Sequence, residues 1–439
     1  MTDAVSPRRR REVIDALRRG TVPAQGLDLL AVGLERLTPA LDADLDTVAG
    51  GGSAFKAIRG EYGSGKTFLT RYVAERALRR GFAATEVQIS ETETPLHRLE
   101  TVYRRISEAL RTAAFPPSAF RSVLDSWLFT LEADAGGPGD SMAVDRLLEQ
   151  RLAVVLVRTP AFAQALRAYR SAVASGDVVT ADALSSWLGG QPHVAAAAKR
   201  VAGIRGELDH FGAMGFLQGL LLVLRDSGHP GLLLVLDEVE TLQRARGDVR
   251  DKSLNAIRQL IDEVDSGRYP GLFLMITGTA AFYEGPSGVP RLAPLAQRLA
   301  TDFRTEARFD NPRAVQVRLP GFDHAALVSV GVRVRDLFVG GAAHPRRVSR
   351  VVDDAYVGRL AEAMAGSFGG KVGVVPRLFL KKLVADVLDR VDQYSDFDPR
   401  RHYALTVSRD ELTEVERSAL AGVVRPAASP DEVELDVDV

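Results

Sequence analysis

The sequence contains no cysteine, few lysines and no long apolar run. The absence of cysteine excludes disulfide bonds, thiolate zinc sites and cysteine nucleophiles. Without an apolar run of about 18 residues, no membrane-spanning helix and no membrane partner are expected. No apolar segment follows the arginines at positions 8 to 11, so we predict no secretory signal and expect a cytoplasmic protein.

Net charge is also close to zero. The 56 basic and 57 acidic residues leave a formal net charge of −1, so no general attraction to nucleic acid is expected. Only seven of the basic residues are lysine. This preference for arginine resembles a genome-wide coding bias, so clusters of arginine are weak evidence for phosphate binding. The hydrophobic share of 46% is that of an ordinary globular protein.

The order of strand and helix patterns predicts an α/β fold. A strand at 54–59, a helix from Lys66 to about Arg80 and a strand at 82–89 form the repeating unit of a parallel sheet. Further strands are predicted at 232–236, 272–277 and 315–319. Helices are predicted at 8–19 and at 26–48.

The same patterns predict the domain limits. The stretch at 95–226 is helical throughout and far longer than a crossover between parallel strands requires. We predict an N-terminal helical segment at 1–53, an α/β core at 54–94 and 227–320, a helical insertion at 95–226, a helical lid at 321–428 and an acidic disordered tail at 429–439.

Residues 60–67 match the phosphate-binding pattern G-x-x-x-x-G-K-[ST] without a mismatch. Glycines let the backbone wrap around phosphates, and the N-terminus of the following helix attracts anions. We predict that Lys66 contacts the β- and γ-phosphates of ATP and that Thr67 ligates Mg²⁺. The candidate ATP-binding residues of this segment are Gly60, Glu61, Tyr62, Gly63, Ser64, Gly65, Lys66, Thr67 and Phe68.

Two carboxylates follow the apolar strand at 232–236. Asp237 is placed to hold Mg²⁺, and Glu238 is placed to polarise an attacking water, which is the role that distinguishes hydrolysing ATPases from nucleotide binders. Next along the chain, the strand at 272–277 ends in Thr277. In the additional-strand class of ATPases such a polar residue points at the γ-phosphate or the water. Thr279 is the alternative to Thr277 for this role.

This order of parts resembles an AAA+ ATPase, closest in layout to the origin-recognition family. The resemblance implies that Arg377, at the start of an apolar helix, contacts the nucleotide as a second sensor. It also implies an arginine finger acting on a neighbouring subunit, and hence a homo-oligomer. Arg298 is our candidate for the finger, while Arg291 and Arg304 stay open as alternatives.

The amino-acid sequences of three segments give a more specific resemblance than the order of parts does. Residues 18–23, 59–68 and 86–97 resemble the BrxD family, the ATP-binding proteins of BREX phage-defence systems. The similarity covers residues 10 to about 395. It implies a role in antiviral defence beside a DNA-modifying or DNA-unwinding partner, as a DNA-associated motor or helicase-loader-like component. The usual winged-helix DNA-binding domain of the initiators has no clear counterpart.

Other interpretations remain open at this point. The protein is alternatively a regulatory switch that binds ATP and signals to an effector with little turnover. Direct DNA binding has weak support from Arg346, Arg347 and Arg350 and from Lys381 and Lys382. The segment at 90–93 either senses the nucleotide or a partner, or caps the helix that follows.

Overall fold

The computed structural model describes residues 5–137, 141–156, 159–367 and 375–406. The predicted acidic tail at 429–439 and the end of the predicted lid, at 407–428, lie outside the described residues. The chain divides into two compact units. Unit 1 lies within Met1–Glu35, Gly60–Tyr72 and Leu319–Val439, and unit 2 lies within Arg36–Arg59 and Val73–Arg318.

Unit 2 contains a five-stranded, fully parallel sheet. Its strands are β1 (Ala54–Arg59), β2 (Ala83–Gln88), β3 (Leu232–Asp237), β4 (Leu272–Gly278) and β5 (Gln316–Arg318). Their spatial order is β2-β3-β4-β1-β5. β4 therefore lies between β1 and β3, which is the arrangement expected of the additional-strand class. The predicted α/β fold of the AAA+ type is confirmed.

The two central strands explain why the sheet is so strongly specified. Every residue of β3 and β4 is buried, as expected for apolar strands covered on both faces. Residues 232–236 pair in step with residues 272–276. Because all pairings are parallel, the carboxyl ends of β1, β3 and β4 lie at one edge of the sheet.

The first part of the chain forms three helices: α1 (Pro7–Arg19), α2 (Thr38–Ala49) and α3 (Lys66–Arg79). The prediction of a single helix at 26–48 is wrong, since only the short turn Leu27–Leu29 precedes α2 there. Gly26 and Gly33 have φ angles of +81° and +75°, a region that favours glycine and interrupts a helix. Pro39 then lies in the first turn of α2, where proline is readily accommodated.

The connection between β2 and β3 is helical. Its described residues include α4 (Leu99–Ala109), α5 (Phe120–Asp134), α6 (Ser141–Leu156), α7 (Pro160–Ser175), α8 (Val178–Leu188), α9 (Ala196–Val201) and α10 (His210–Asp226). Phe216 of α10 makes edge-to-face contacts with Tyr103, Phe162 and Trp187, at centroid distances of 5.6, 5.1 and 5.2 Å. These rings belong to the same apolar core as the buried residues of β2, β3 and β4.

Three more helices complete unit 2: α11 (Gly247–Asp265), α12 (Ala280–Glu284) and α13 (Ala293–Arg298). Unit 1 is helical and has its own apolar core, which includes Val13, Val334, Phe379 and Leu383. Its later helices are α14 (His324–Val339), α15 (Pro345–Val351), α16 (Asp354–Ser367), α17 (Val375–Lys381), α18 (Asp389–Gln393) and α19 (Pro399–His402), with a π-helical segment at Lys382–Leu388. Within the described ranges, no helix has the length and apolar character needed to cross a bilayer.

Candidate nucleotide-binding site

The phosphate-binding loop, residues 60–67, directly follows β1 in the chain and ends in the first turn of α3. Its backbone turns at Gly63 and Gly65, whose φ angles are +74° and +91°. Residues that have a Cβ rarely adopt these φ angles. Gly60 is constrained by space instead, because a Cβ there would collide with the hydroxyl group of Ser64. The glycines therefore hold this loop in a shape that other residues would not allow.

The side chain of Lys66 folds back over this loop. Its ammonium donates to the carbonyl oxygens of Gly60, at 2.8 Å, and Glu61, at 3.3 Å, and lies 5.2 Å from the centroid of the Tyr62 ring. Lys66 is only 8% exposed. Neutral carbonyl oxygens are weaker partners for an ammonium group than a phosphate oxygen is. The lysine can therefore exchange these contacts for an anion.

Ser64 supplies an independent sign that the loop accepts a ligand. Its hydroxyl is buried and has no hydrogen-bond partner among the described residues. Leaving a buried polar group unpaired costs about 1–3 kcal/mol. Thr67 is the second residue of α3, whose first N–H groups have no partner within the helix. A phosphate bound in the loop would satisfy such donors.

Asp237 and Thr277 meet at the carboxyl edge of the sheet. The Thr277 hydroxyl donates to Oδ1 of Asp237, and both residues are buried. The same hydroxyl accepts the N–H of Glu238 at 3.1 Å. The structure thus brings together Asp237, Glu238 and Thr277. Thr279, the alternative to Thr277, instead caps α12, where its hydroxyl accepts the N–H of Phe282 at 3.4 Å.

Glu238 has an unusual backbone conformation, with φ +60° and ψ +41°. Non-glycine residues seldom occupy this left-handed region, and doing so costs on the order of 1–3 kcal/mol. Its N–H is held by Oδ1 of Asp237, at 3.1 Å, and by Thr277. The hydroxyl of Thr241 donates to its carbonyl oxygen at 2.9 Å. These contacts hold the strained backbone and so fix the direction in which the side chain leaves it.

One residue of this cluster was missed by the sequence analysis. The side-chain amide of Gln88 donates to Oε2 of Glu238 at 2.8 Å. Gln88 is the last residue of β2 and pairs with Asp237 in the parallel register of β2 and β3. A polar residue at the end of the predicted strand at 82–89 was a usable signal, but only once β2 was known to neighbour β3.

The segment at 90–93 makes a local turn. The hydroxyl of Ser90 accepts the N–H groups of Glu93, at 3.1 Å, and Thr94, at 3.0 Å. It does not cap a helix, since α4 begins only at Leu99. Gln88, Ser90, Thr92 and Glu93 line a cavity of about 510 Å³, a place where a small group could lie beside the amide that contacts Glu238.

A buried tyrosine lies behind β1. The phenol of Tyr283 donates to the carbonyl oxygen of Ile58 at 3.5 Å. Burial, with a smaller contribution from the charge of Glu240, raises the pKa of Tyr283 well above its ordinary value. The phenol therefore stays neutral and acts as a hydrogen-bond donor.

The candidate arginine fingers all have acidic neighbours in this chain. Arg298, the last residue of α13, forms an ion pair with Asp262 of α11. Arg291 forms one with Asp251.

The third candidate, Arg304, pairs locally with Asp302 at 3.0 Å. An arginine acting on another subunit would have to leave such a partner. Pairing within the chain does not single out one of the three.

Arg377 lies in the first turn of α17, in unit 1. It is half-buried. Its guanidinium is close to Gly20, which ends α1 with a φ of +73°, and Nη1 lies 3.5 Å from where a Cβ on Gly20 would stand. Residues 368–374, which precede α17, lie outside the described residues.

These observations define a class of protein. A phosphate-binding loop follows β1, two carboxylates end β3, and β4 lies between those strands. This combination is that of a P-loop ATP-binding protein of the AAA+ class. The particular family follows from a family model of the "BREX system ATP-binding protein BrxC/D", which matches residues 5–407. The chain belongs to this family, which confirms the resemblance to BrxD.

Two other comparisons were made. Among solved structures the chain is similar to the ORC2 protein of Aeropyrum pernix, determined in ADPNP–ADP complexes, with a TM-score of 0.33 and 13% sequence identity. The match covers 80% of this chain and 66% of that protein, just under two thirds of its length. Comparison with curated proteins gave no match.

Proposed function

We propose that this BREX-system ATP-binding protein hydrolyses ATP with the help of Mg²⁺. The single observation that carries the proposal is the contact of Thr277 with both Asp237 and the backbone of Glu238. The Thr277 hydroxyl fixes the carboxylate of Asp237 and the backbone of Glu238 at the end of β3. Fixing two acidic residues at one place is an arrangement suited to a catalytic site. Chain order supports the proposal. β4 lies between β3 and β1, and the phosphate-binding loop begins at the residue after β1.

In this proposal the loop binds the phosphates. Lys66 moves from the carbonyl oxygens of Gly60 and Glu61 to the β- and γ-phosphate oxygens, while backbone N–H groups of residues 61–68 surround them. Thr67 and Asp237 would hold Mg²⁺, Asp237 through water. The ion would neutralise charge on the phosphates. The buried, unpaired hydroxyl of Ser64 supports the fit of this loop to an anion.

Glu238 acts as the general base in the same proposal. Its carboxylate accepts a proton from the attacking water as an oxygen–phosphorus bond forms at the γ-phosphate and the bond to the bridging oxygen breaks. The amide of Gln88 occupies Oε2 of this carboxylate. That contact must loosen, or leave Oε1 to act, before the water is polarised.

Arg298 and Arg377 complete the proposed site. We propose that Arg298 leaves Asp262 and acts on the nucleotide of a neighbouring subunit in a homo-oligomer, and that Arg377 contacts the nucleotide from the lid at 321–428. The other domain limits given above are part of the same proposal. The helical insertion at 95–226 is proposed to contact other proteins of the defence system.

At the cellular level we propose a DNA-associated motor or helicase-loader-like component that works beside a helicase or DNA-modifying partner. A second function has one observation in its favour. The hydrogen bond from Gln88 to Glu238 occupies the proposed base, as expected of a regulatory switch that retains ATP and turns over slowly.

The Glu238→Gln variant tests hydrolysis directly. Removing the base is expected to lower kcat about 10²-fold or more, because general bases contribute that much. Nucleotide affinity should stay within a few-fold, since the loop is unchanged. Turnover is measured by phosphate release and affinity by titration of a fluorescent ATP analogue.

The exposed Glu35→Gln variant is the control for this experiment. Equal turnover in the Glu238 variant and the control would refute the role of Glu238. Tight binding with negligible turnover in the unmodified protein would favour the switch.

A further inference from the structure

Helix α15, in unit 1, carries two arginines whose charge is not neutralised. Arg346 and Arg350 are exposed, and the guanidinium group of neither forms an ion pair or a hydrogen bond with any residue that the structure describes. They are four residues apart and therefore share one face of the helix. Many other surface arginines in this chain form ion pairs. Arg8 and Arg308, for example, pair with acidic side chains at 2.9 and 2.8 Å.

The two guanidinium groups border a shallow depression of about 490 Å³. Its other lining residues are Val339, Pro345 and Ser349. As far as the described chain forms this lining, it contains no carboxylate. The depression therefore presents two positive charges and one hydroxyl group, and no described lining residue neutralises the positive charges.

Helix α1 brings further positive charge to this part of unit 1. Arg10 donates to the carbonyl oxygen of Gly340, the residue after Val339. Arg11, the next residue on α1, is exposed and forms no ion pair within the described ranges.

Helix α19 lies at the other end of α15. Arg400 donates to the carbonyl oxygen of Val351 and forms an ion pair with Asp353 at 2.8 Å, which holds α19 against α15. The adjacent Arg401 is exposed, and its guanidinium group has no partner among the residues described. Both α15 and α19 begin with the sequence Pro-Arg-Arg.

An exposed aromatic ring belongs to the same region. Arg347 of α15 donates to the carbonyl oxygen of Phe397 at 2.8 Å, which fixes the loop before α19. Tyr394 lies in this loop and is 57% exposed. We call the exposed residues Arg11, Arg346, Arg350, Tyr394 and Arg401 the arginine face.

Carboxylates also occur nearby, and backbone N–H groups fix the position of most of them without removing their charge. Asp392 accepts the N–H groups of Ala343, at 2.9 Å, and His344, at 2.7 Å. Asp398 caps α19, and Asp353 accepts the N–H of Tyr356 at 2.8 Å.

Asp396 is the exposed carboxylate of this loop. The four arginines of the arginine face outnumber Asp392, Asp396 and Asp398 together, so an incoming anion would meet a net positive surface.

We propose that the arginine face binds single-stranded nucleic acid. Guanidinium groups pair with phosphate oxygens in a two-point geometry, and exposed aromatic rings stack on unpaired bases. A membrane surface fits less well, because Val348 of α15 and Val352, the residue after α15, are buried and leave no apolar side to insert. An acidic peptide would use the charges but not the ring. The proposal does not depend on ATP hydrolysis by this chain.

The test compares binding of a fluorescent oligothymidylate by the full chain and by the Arg346→Gln/Arg350→Gln variant over a series of salt concentrations. Each phosphate contact on a single strand contributes about −0.7 to the slope of log K against log salt. Losing two contacts should make that slope less steep by about 1.4 and weaken binding roughly tenfold at low salt.

The matched control is Arg246→Gln/Arg308→Gln, which removes the same charge at exposed sites of unit 2. The control should bind as the unmodified chain does. Equal loss in both double variants, no loss in either, or no binding of oligothymidylate by the full chain would each overturn the proposal. So would preference for anionic phosphatidylserine vesicles or polyglutamate over the oligonucleotide.

Mutation of Tyr394 tests whether the ligand is single-stranded or duplex nucleic acid. Tyr394→Ala is expected to weaken oligothymidylate binding about fivefold or more, because one base stack contributes at least about 1 kcal/mol. Tyr394→Phe should bind normally, and a duplex of equal length should be insensitive to both changes. An equal effect of Tyr394→Ala on duplex and single strand would overturn the single-strand assignment. ATP turnover, measured in the same preparations, reports separately on the proposed hydrolysis.

Discussion

Glu238 shows at the scale of one residue how the site is built. Its left-handed backbone is unfavourable for a glutamate, yet two oxygen atoms hold its N–H and a threonine hydroxyl holds its carbonyl oxygen. Strain of this kind persists only where the surroundings enforce it, and it occurs often at functional sites. The backbone of Glu238 is therefore held by Asp237, Thr277 and Thr241, while Gln88 contacts its carboxylate.

Gln88 is predicted to restrain the carboxylate of Glu238. Gln88→Ala removes the amide that donates to Oε2, so basal ATP turnover should rise a few-fold while nucleotide affinity stays unchanged. Steady-state phosphate release measures the effect. Gln218→Ala is the control, because this glutamine donates to the carbonyl oxygen of Arg268, in another part of unit 2. A fall in turnover for Gln88→Ala would mean that the amide supports catalysis.

Thr277 and Thr279 form a matched pair for mutation. Thr277→Val removes the hydroxyl that bridges Asp237 and Glu238, so we expect turnover to fall at least tenfold and stability to fall by about 1–3 kcal/mol. Thr279→Val removes only the cap of α12, which costs about 1 kcal/mol. Comparing kcat with urea midpoints separates the two effects. Equal turnover in both variants would remove Thr277 from the site.

At the scale of elements, a buried ion pair ties α2 to β1. Lys56 of β1 is almost fully buried and lies 3.1 Å from Asp44 of α2, and it also donates to the carbonyl oxygen of Ala314 at 3.0 Å. Burial raises the pKa of Asp44 although the charge of Lys56 opposes this. Removal from water therefore outweighs the attraction between the charges, as is common for buried pairs.

This imbalance predicts how the pair responds to mutation. Lys56→Met leaves Asp44 without its partner and should cost about 3–5 kcal/mol, whereas Lys56→Met with Asp44→Leu should restore most of the stability. Urea denaturation followed by circular dichroism measures both. If the double variant were no more stable than the single one, the lost contact with Ala314 would be the larger effect.

Elements with strong local signals could be predicted from the sequence. Local sequence alone is enough to recognise β3 and β4, from their apolar runs, and the phosphate-binding loop, from the glycine pattern at 60–67. The helix predicted at 26–48 failed because Gly26 and Gly33 adopt left-handed angles that the apolar periodicity hides. Gln88 and the partner of Arg298 were missed for a different reason. Their contacts depend on which distant strand or helix lies alongside, which no local pattern records.

At the scale of the whole molecule, nucleotide binding should raise thermal stability. ATP with Mg²⁺ at about 100 times Kd is expected to add roughly 2.7 kcal/mol, seen as a higher Tm. Lys66→Ala should abolish the shift, whereas Lys199→Ala, at a partly exposed lysine outside the phosphate-binding loop, should not. Light scattering of the same samples with ADP, ATP and the Glu238→Gln variant tests the proposed homo-oligomer. A Tm shift that survives Lys66→Ala would place the nucleotide elsewhere.

The route of the chain between its two units limits how the protein can be divided. The chain passes between them four times, after residues 35, 59, 72 and 318. No single cut therefore yields one intact unit, and a fragment that ends near residue 318 keeps the whole sheet but loses most of unit 1. A fragment of unit 1 alone needs two artificial junctions and a fragment of unit 2 alone needs one. For the same reason a recombination event with one breakpoint cannot exchange either unit between relatives.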